Sequence, residues 1–386
     1  MNPIFAGLPT TIFEVMSGLA RDLGAINLGQ GFPDDAGPED VRRKAAEAVI
    51  DGPNQYPPML GLPELRQAIA DHYRRFQGIA LDWQRETMVT SGGTEALAAA
   101  ILALVAPGDE VVLIQPMYDA YLPLVKLAGG VPRFVDLAPP HWRLTEAALA
   151  AAFTPRTKLV VLNNPLNPTG TVFTRDEIEL LARFVARSGA RVVSDEVWEH
   201  LTYDGREHVS VLSVPALRER SVKIGSAGKI FSLTGWKVGL VAAAPDLLKA
   251  VGKAHQFLTF TTAPSLQIAV AYGLGKDAAY FAELRRGLAA KRDTFAAGLT
   301  AAGFAPLASE GTYFLNVDLA ALGESDDVAF CQRLVREAGV AAIPVSAFYA
   351  ERPIATVARF CFAKADATLD AALERLARFA RASRAA

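Results

Sequence analysis

Two strand-length runs, Val111-Val112-Leu113-Ile114 and Leu159-Val160-Val161-Leu162, are apolar at every position rather than at alternate ones. A strand apolar on both faces has to be covered on both, and helices do this when crossovers link parallel strands. Comparable short runs recur at 87–90, 110–115, 158–163, 191–195, 221–225 and 238–243, separated by Ala/Leu-rich stretches. That alternation predicts an α/β fold with a largely parallel, buried sheet. With 51% hydrophobic and 21% charged residues among 386, the chain has enough apolar material to build one.

The pattern changes beyond about residue 291, to a strand at 312–318, a helix at 326–338, strands at 341–344 and 357–362, and a helix at 366–380. This predicts a second, smaller α+β unit. The first 45 residues, with Pro3, Pro9, Pro33 and Pro38 and little periodicity, read as an arm and loops packed on other elements. The expected division is an arm over 1–13, a small domain from 14–45 and 290–386, and a large domain over 46–289. Lys and Arg total 39 against 41 Asp and Glu, a net charge of −2, which supplies no field for a polyanion and argues against nucleic acid as a partner. Cys331 and Cys361 are too few for a disulfide framework and fit a reducing cytoplasm. The opening residues have no basic segment and carry Glu14, so neither export nor membrane insertion is expected.

Four features carry chemistry. Lys229 follows the predicted strand 221–225 and is crowded by Ser226, Ala227 and Gly228. Small neighbours let a planar ligand approach the backbone, and an amine shielded from water becomes nucleophilic, suited to Schiff-base chemistry. A solvated loop lysine is the competing reading. Ser91-Gly92-Gly93-Thr94 links a strand to a helix beginning near Glu95, so free amides at a positive helix end offer an anion site; tight packing alone is the alternative. Asp195 ends the buried run Val192-Val193-Ser194, where a carboxylate needs compensation, unless it merely caps a helix. Arg359, in Ala358-Arg359-Phe360-Cys361-Phe362, calls for a planar anion, from a substrate or from a structural salt bridge.

The segment Ser226-Ala227-Gly228-Lys229-Ile230-Phe231-Ser232-Leu233-Thr234-Gly235-Trp236-Lys237 resembles the cofactor-lysine segment of fold-type I pyridoxal-phosphate aminotransferases, in the kynurenine/methionine (glutamine transaminase K) branch. Further matches follow the family's order: Gln30-Gly31-Phe32-Pro33, Asn54-Gln55-Tyr56-Pro57, Gly92-Gly93-Thr94-Glu95-Ala96, Asn167-Pro168-Thr169-Gly170, Ser194-Asp195-Glu196-Val197 and Gly311-Thr312-Tyr313-Phe314. The resemblance implies a seven-stranded, mostly parallel sheet sandwiched by helices, with pyridoxal 5'-phosphate as cofactor. It implies that Lys229 forms the Schiff base and moves the substrate proton, and that Gly93, Thr94, Ser226 and Lys237 hold the phosphate. By the same resemblance Asp195 keeps the ring nitrogen protonated, Asn167 bonds the ring oxygen and Tyr118 stacks on the ring. Arg359 and Gly31 take the substrate carboxylate. Tyr56, Phe260 and Thr261 reach the neighbouring subunit's site in a homodimer, and Phe13 shapes the side-chain pocket.

The chain departs from the family at Trp198, where relatives usually carry a tyrosine that donates to the ring oxygen; an indole donates but cannot accept. No Arg or Lys occurs in 256–264 to bind a second carboxylate, which favours apolar, thioether or aromatic substrates over aspartate. His72, His141, His200, His208 and His255 show no metal-ligand spacing, so no metal is expected. The Gly-x-Gly at Gly29–Gly31 runs into Pro33, against a nicotinamide dehydrogenase. Arg375, Arg378, Arg381 and Arg384 read as a solvated helix face. The expected activity is transfer of the amino group of a neutral, methionine-, aromatic- or glutamine-like L-amino acid to a 2-oxo acid by a ping-pong mechanism. The alternatives are a carbon–sulfur β-lyase, an N-succinyl-diaminopimelate aminotransferase and a non-catalytic cofactor-binding regulator.

Overall fold

The computed structural model describes residues 1–385. Its centre is a seven-stranded sheet made of β1 (Thr87–Thr90), β2 (Glu110–Gln115), β3 (Val131–Asp136), β4 (Thr157–Asn163), β5 (Arg191–Asp195), β6 (Ser221–Ser226) and β7 (Gly239–Ala243). Across the sheet the order is β1-β7-β6-β5-β4-β2-β3. Only β7 runs against its neighbours, β1 and β6. All residues of β2 and β7 are buried, as two-sided helical cover requires. Apolar clusters lie on both faces, one holding Val112, Val160 and Val192 and the other Val111, Val161 and Val193. Alternate residues of each strand therefore feed opposite cores.

Six of the seven strands are legible as apolar runs. The seventh, β3, was not, because its sequence Val-Pro-Arg-Phe-Val-Asp has a single buried residue and a proline, tolerated at the sheet edge where the strand sits. Helix boundaries follow local signals where these are strong. Thr174 and Glu177 close a capping box on the helix Arg175–Ser188, which ends at the left-handed Gly189.

The smaller unit has its own core, in which Met16, Leu28, Phe295, Leu334, Phe360 and Leu376 meet. Its antiparallel sheet runs Ile343–Pro344, Val357–Cys361, Phe314–Asp318, and Ile26–Asn27 pairs in parallel with Val340–Ala341. The opening segment is more regular than its prolines suggest: Ile12–Asp22 and Glu39–Asp51 are helices. Thr11 caps the first by accepting from the Glu14 amide, a Thr-x-x-Glu signal, and Met16, Ser17 and Ala20 turn inward. The predicted helix 326–338 is α-helical only over Asp327–Arg333 and continues as a π-turn, Leu334–Ala338. Arg375 is not simply solvated, since it donates to the Gly339 carbonyl at 2.9 Å; the Arg384 side chain lies outside the described residues. Among the described residues, no helix is long and apolar enough to cross a membrane.

Candidate active site

The loops at one edge of the large sheet converge on a cleft of about 340 Å³. Asp195 ends β5, Ser226 ends β6, and Gly92, Tyr118 and Asn167 follow β1, β2 and β4. Lys237 precedes β7, which starts at the same edge because it runs the other way. Ligands of open α/β sheets bind at this carboxyl edge. The smaller unit closes the cleft with Phe13, Phe314 and Arg359. Of the residues expected in the site, Phe13, Gly31, Gly93, Thr94, Tyr118, Asn167, Asp195, Trp198, Ser226, Lys229, Lys237 and Arg359 line it, and Gly92 and Phe314 join them. Tyr56, Phe260 and Thr261 do not. The Tyr56 ring is 85% exposed and meets Phe260 edge-on at 5.7 Å, away from this chain's own cleft.

The Gly-rich turn is held open by specific contacts. Glu95 accepts from the Ser91 amide at 3.0 Å and faces His255, which fixes the start of the helix Gly92–Leu104. Gly92 has φ +80°, and a Cβ there would sit 3.3 Å from the Lys237 Nζ, so the bare backbone admits that ammonium. Lys237 itself takes the left-handed conformation, φ +54°.

Lys229 borders the cleft, and Nζ donates to the Gly31 carbonyl at 3.2 Å and to the Tyr313 hydroxyl at 3.0 Å. Burial is the main cause that pushes its amine from 10.5 down to about 8, Arg359 and Lys237 adding to the fall against Cys361 and Asp195. Asp195 is raised by desolvation; the Tyr121 hydroxyl, at 2.7 Å, and the Val197 amide oppose the rise. Arg359 is 1% exposed and, among the described residues, has no carboxylate within bonding range. Its Nη1 donates to Asn167 Oδ1 at 2.7 Å and its Nη2 to the Gly29 carbonyl at 2.9 Å, while Nε has no partner. Burial lowers it to about 10. The competing salt-bridge reading of Arg359 fails on this geometry. Asn163 ties the two halves together, accepting from the Asn167 amide at 2.8 Å and donating to the Asp195 carbonyl at 2.8 Å.

The family model for aminotransferases of class I and II matches residues 24–376. The chain belongs to that family. It is 44% identical over 369 residues to the methionine aminotransferase of Escherichia coli, covering 96% of each chain. It is 44% identical over 380 residues to a probable N-succinyldiaminopimelate aminotransferase of Mycobacterium tuberculosis, covering 95% of each. The solved structures of an E. coli methionine aminotransferase and of the mycobacterial enzyme both superpose with a TM-score of 0.95 at 43% identity, over 98% of this chain and 99% of theirs. The kynurenine–oxoglutarate transaminase 1 of Mus musculus is 37% identical over 393 residues, covering 93% of this chain and 92% of its own.

The protein is thus a pyridoxal-phosphate-dependent aminotransferase, and the residues present fit that cofactor. An anion cradle, a desolvated amine and a buried carboxylate with room for a cationic partner face one cavity. Several aminotransferase residues escaped the sequence reading. Tyr121, Tyr313, Asn163, Asp119 and Gln30 belong to the site or bond its members. Tyr121 opens the helix Tyr121–Leu127 just after the turn that carries Tyr118, and its amide donates to the Tyr118 carbonyl at 3.2 Å. Lys223 also escaped: its ammonium bridges Glu196 and Glu199 at 2.9 and 2.6 Å, and His208 hydrogen-bonds Glu196 at 2.8 Å, in a buried polar network beside Asp195.

Proposed function

We propose that this aminotransferase takes its amino group from a neutral L-amino acid with a thioether, aromatic or amide side chain and passes it to a 2-oxo acid in two half-reactions. When bound, pyridoxal phosphate supplies the aldehyde and the electron-withdrawing ring that amino-acid side chains lack. Gly93, Thr94, Ser226 and Lys237 would hold its phosphate, Tyr118 would support its ring and Asn167 would bind its ring oxygen. Asp195 would keep the ring nitrogen protonated. Lys229 would be the amine that holds the aldehyde and, when free, the base that moves the proton from the substrate α-carbon. Arg359 and Gly31 receive the α-carboxylate, with Phe13 against the side chain. In this reading the enzyme is a cytoplasmic homodimer with shared sites, Tyr56, Phe260 and Thr261 serving the partner. The arm, small domain and large domain divide at residues 13, 45 and 289 as the sequence suggests.

The observation that carries the reading is the buried Arg359 guanidinium, which lines the cavity together with Lys229 and has no carboxylate partner among the described residues. The choice of a neutral donor rests on charge: among the described residues lining the cleft, the cations are Lys229, Lys237 and Arg359, each already assigned. Asp119 adds a negative charge. Among the described residues, the cleft offers a second carboxylate no free cation. N-succinyl-diaminopimelate remains the second reading because of the mycobacterial relative. The test is a spectroscopic screen of the cofactor-loaded protein against a panel of amino acids, with Lys229→Ala as control. Fastest loss of the bound-cofactor band with methionine, phenylalanine or glutamine supports the proposal; preference for the succinylated substrate replaces it with the second reading. Pyruvate and ammonia released without a 2-oxo acid would mark a β-lyase.

A further inference from the structure

We infer that the Tyr313 hydroxyl is the positioning group that docks the Lys229 amine, with its lone pair toward the cleft, while that amine is not bonded to cofactor. The inference rests on the reading of Lys229 as the cofactor lysine and extends it to a residue with no assigned role.

The direction of each hydrogen bond decides the matter. Tyr313 Oη donates its one proton to the Gly31 carbonyl at 2.6 Å, so toward Lys229 it can only accept. Lys229 Nζ therefore gives one N–H to Tyr313 Oη at 3.0 Å and another to the same Gly31 carbonyl at 3.2 Å. A neutral primary amine has two N–H groups; with both engaged, its lone pair is left for the cavity, where the substrate α-carbon is to lie. Water would not impose that orientation. The uptake of a proton is also provided for, since Nζ lies 4.8 Å from the centre of the Trp198 ring and 5.5 Å from that of Tyr313. Trp198 thus contributes an aromatic face at the position where relatives carry a hydroxyl, and stands edge-on to Tyr313 at 4.4 Å.

The local backbone is built to aim this hydroxyl. Thr312, a β-branched residue, adopts φ +66°, a conformation that persists only where surroundings enforce it. Its amide donates to the Leu201 carbonyl at 2.9 Å, its carbonyl accepts from the buried Tyr203 hydroxyl, and the Tyr313 carbonyl accepts from the Phe362 amide at 3.0 Å. The charged and titratable groups facing Lys229 are Asp195 from β5, Cys361 and Arg359 from the strand Val357–Cys361, and Lys237 before β7. Tyr313 removes none of these when changed to phenylalanine.

The test is Tyr313→Phe, followed by two readouts. The first is the pH profile of pyridoxal phosphate capture by cofactor-free protein. Loss of an acceptor disfavours the ammonium, so the midpoint moves to lower pH than in the unaltered protein. The second is steady-state turnover, where kcat falls about 5- to 10-fold, the worth of one hydrogen bond, and KM stays within about twofold. If this variant does not fold, Tyr203→Phe, which releases the Thr312 carbonyl, shifts both readouts in the same direction by less. An unchanged capture profile together with unchanged kcat overturns the inference. Failure of the unaltered protein to capture cofactor would instead strike the reading of Lys229 itself.

Discussion

Lys229 offers a quantitative prediction. Its amine is brought from 10.5 to about 8 chiefly by burial. At about pH 7.5 a pKa of 8 leaves about one quarter of the amines neutral, against about one in a thousand at 10.5, an advantage of about 240-fold for nucleophilic capture. The perturbation is pH itself. Cofactor-free protein is mixed with pyridoxal phosphate over about pH 6 to 10, and capture is followed in a stopped-flow spectrometer. A simple alkylamine is run in parallel under identical conditions, so that ionisation of the vitamer cancels. The protein's rate relative to the model amine should be greatest at low pH, and its own profile should level off above about pH 8 while the model amine's rate is still climbing. A protein profile that climbs alongside the model amine to about pH 10 refutes the argument that desolvation activates Lys229.

Three further outcomes follow from the geometry. Arg359→Met should lower kcat/KM for amino acids by about 10²- to 10³-fold, the cost of losing a buried charge partner, in steady-state kinetics. The urea midpoint of the cofactor-free variant should stay level or rise, because burial already holds this guanidinium down at about 10. Gly31→Ala should raise KM about tenfold and reduce thermal stability by about 1–3 kcal/mol, since the new Cβ would lie 2.8 Å from Phe314 Cζ, whose ring packs 3.9 Å from the Arg359 guanidinium. Finally, His72 and His200 share a buried contact at 2.7 Å, and burial lowers both, His72 from 6.5 to about 4. Their unfolded forms bind protons first as pH falls through 6.5, so stability is lost on acidification; His72 alone accounts for about 2 kcal/mol between pH 7 and 5, measurable by urea titration at the two pH values.

The sheet was readable because burial on both faces leaves uninterrupted apolar runs such as Val111–Ile114, and β3 was missed because an edge strand needs no such run. Residues whose chemistry conflicts with their surroundings were equally visible: Arg359 between apolar neighbours, Asp195 at the end of a buried strand, and Lys229 among small residues. Tyr121 and Tyr313 were not, because a tyrosine inside an apolar segment looks like core until the fold shows which way its hydroxyl points. The helix Ile12–Asp22 carried a legible Thr-x-x-Glu start that the surrounding prolines obscured. The contribution of Trp198 is an aromatic face presented to Nζ, which no spacing along the chain could announce.

Covalent trapping addresses the central claim most directly. The protein loaded with pyridoxal phosphate is reduced with borohydride, digested and mapped by mass spectrometry. The account predicts that the added mass of the reduced cofactor resides on the peptide containing Lys229, and that prior incubation with a good amino donor protects that peptide from labelling. Label on another lysine, or none on Lys229, would contradict it.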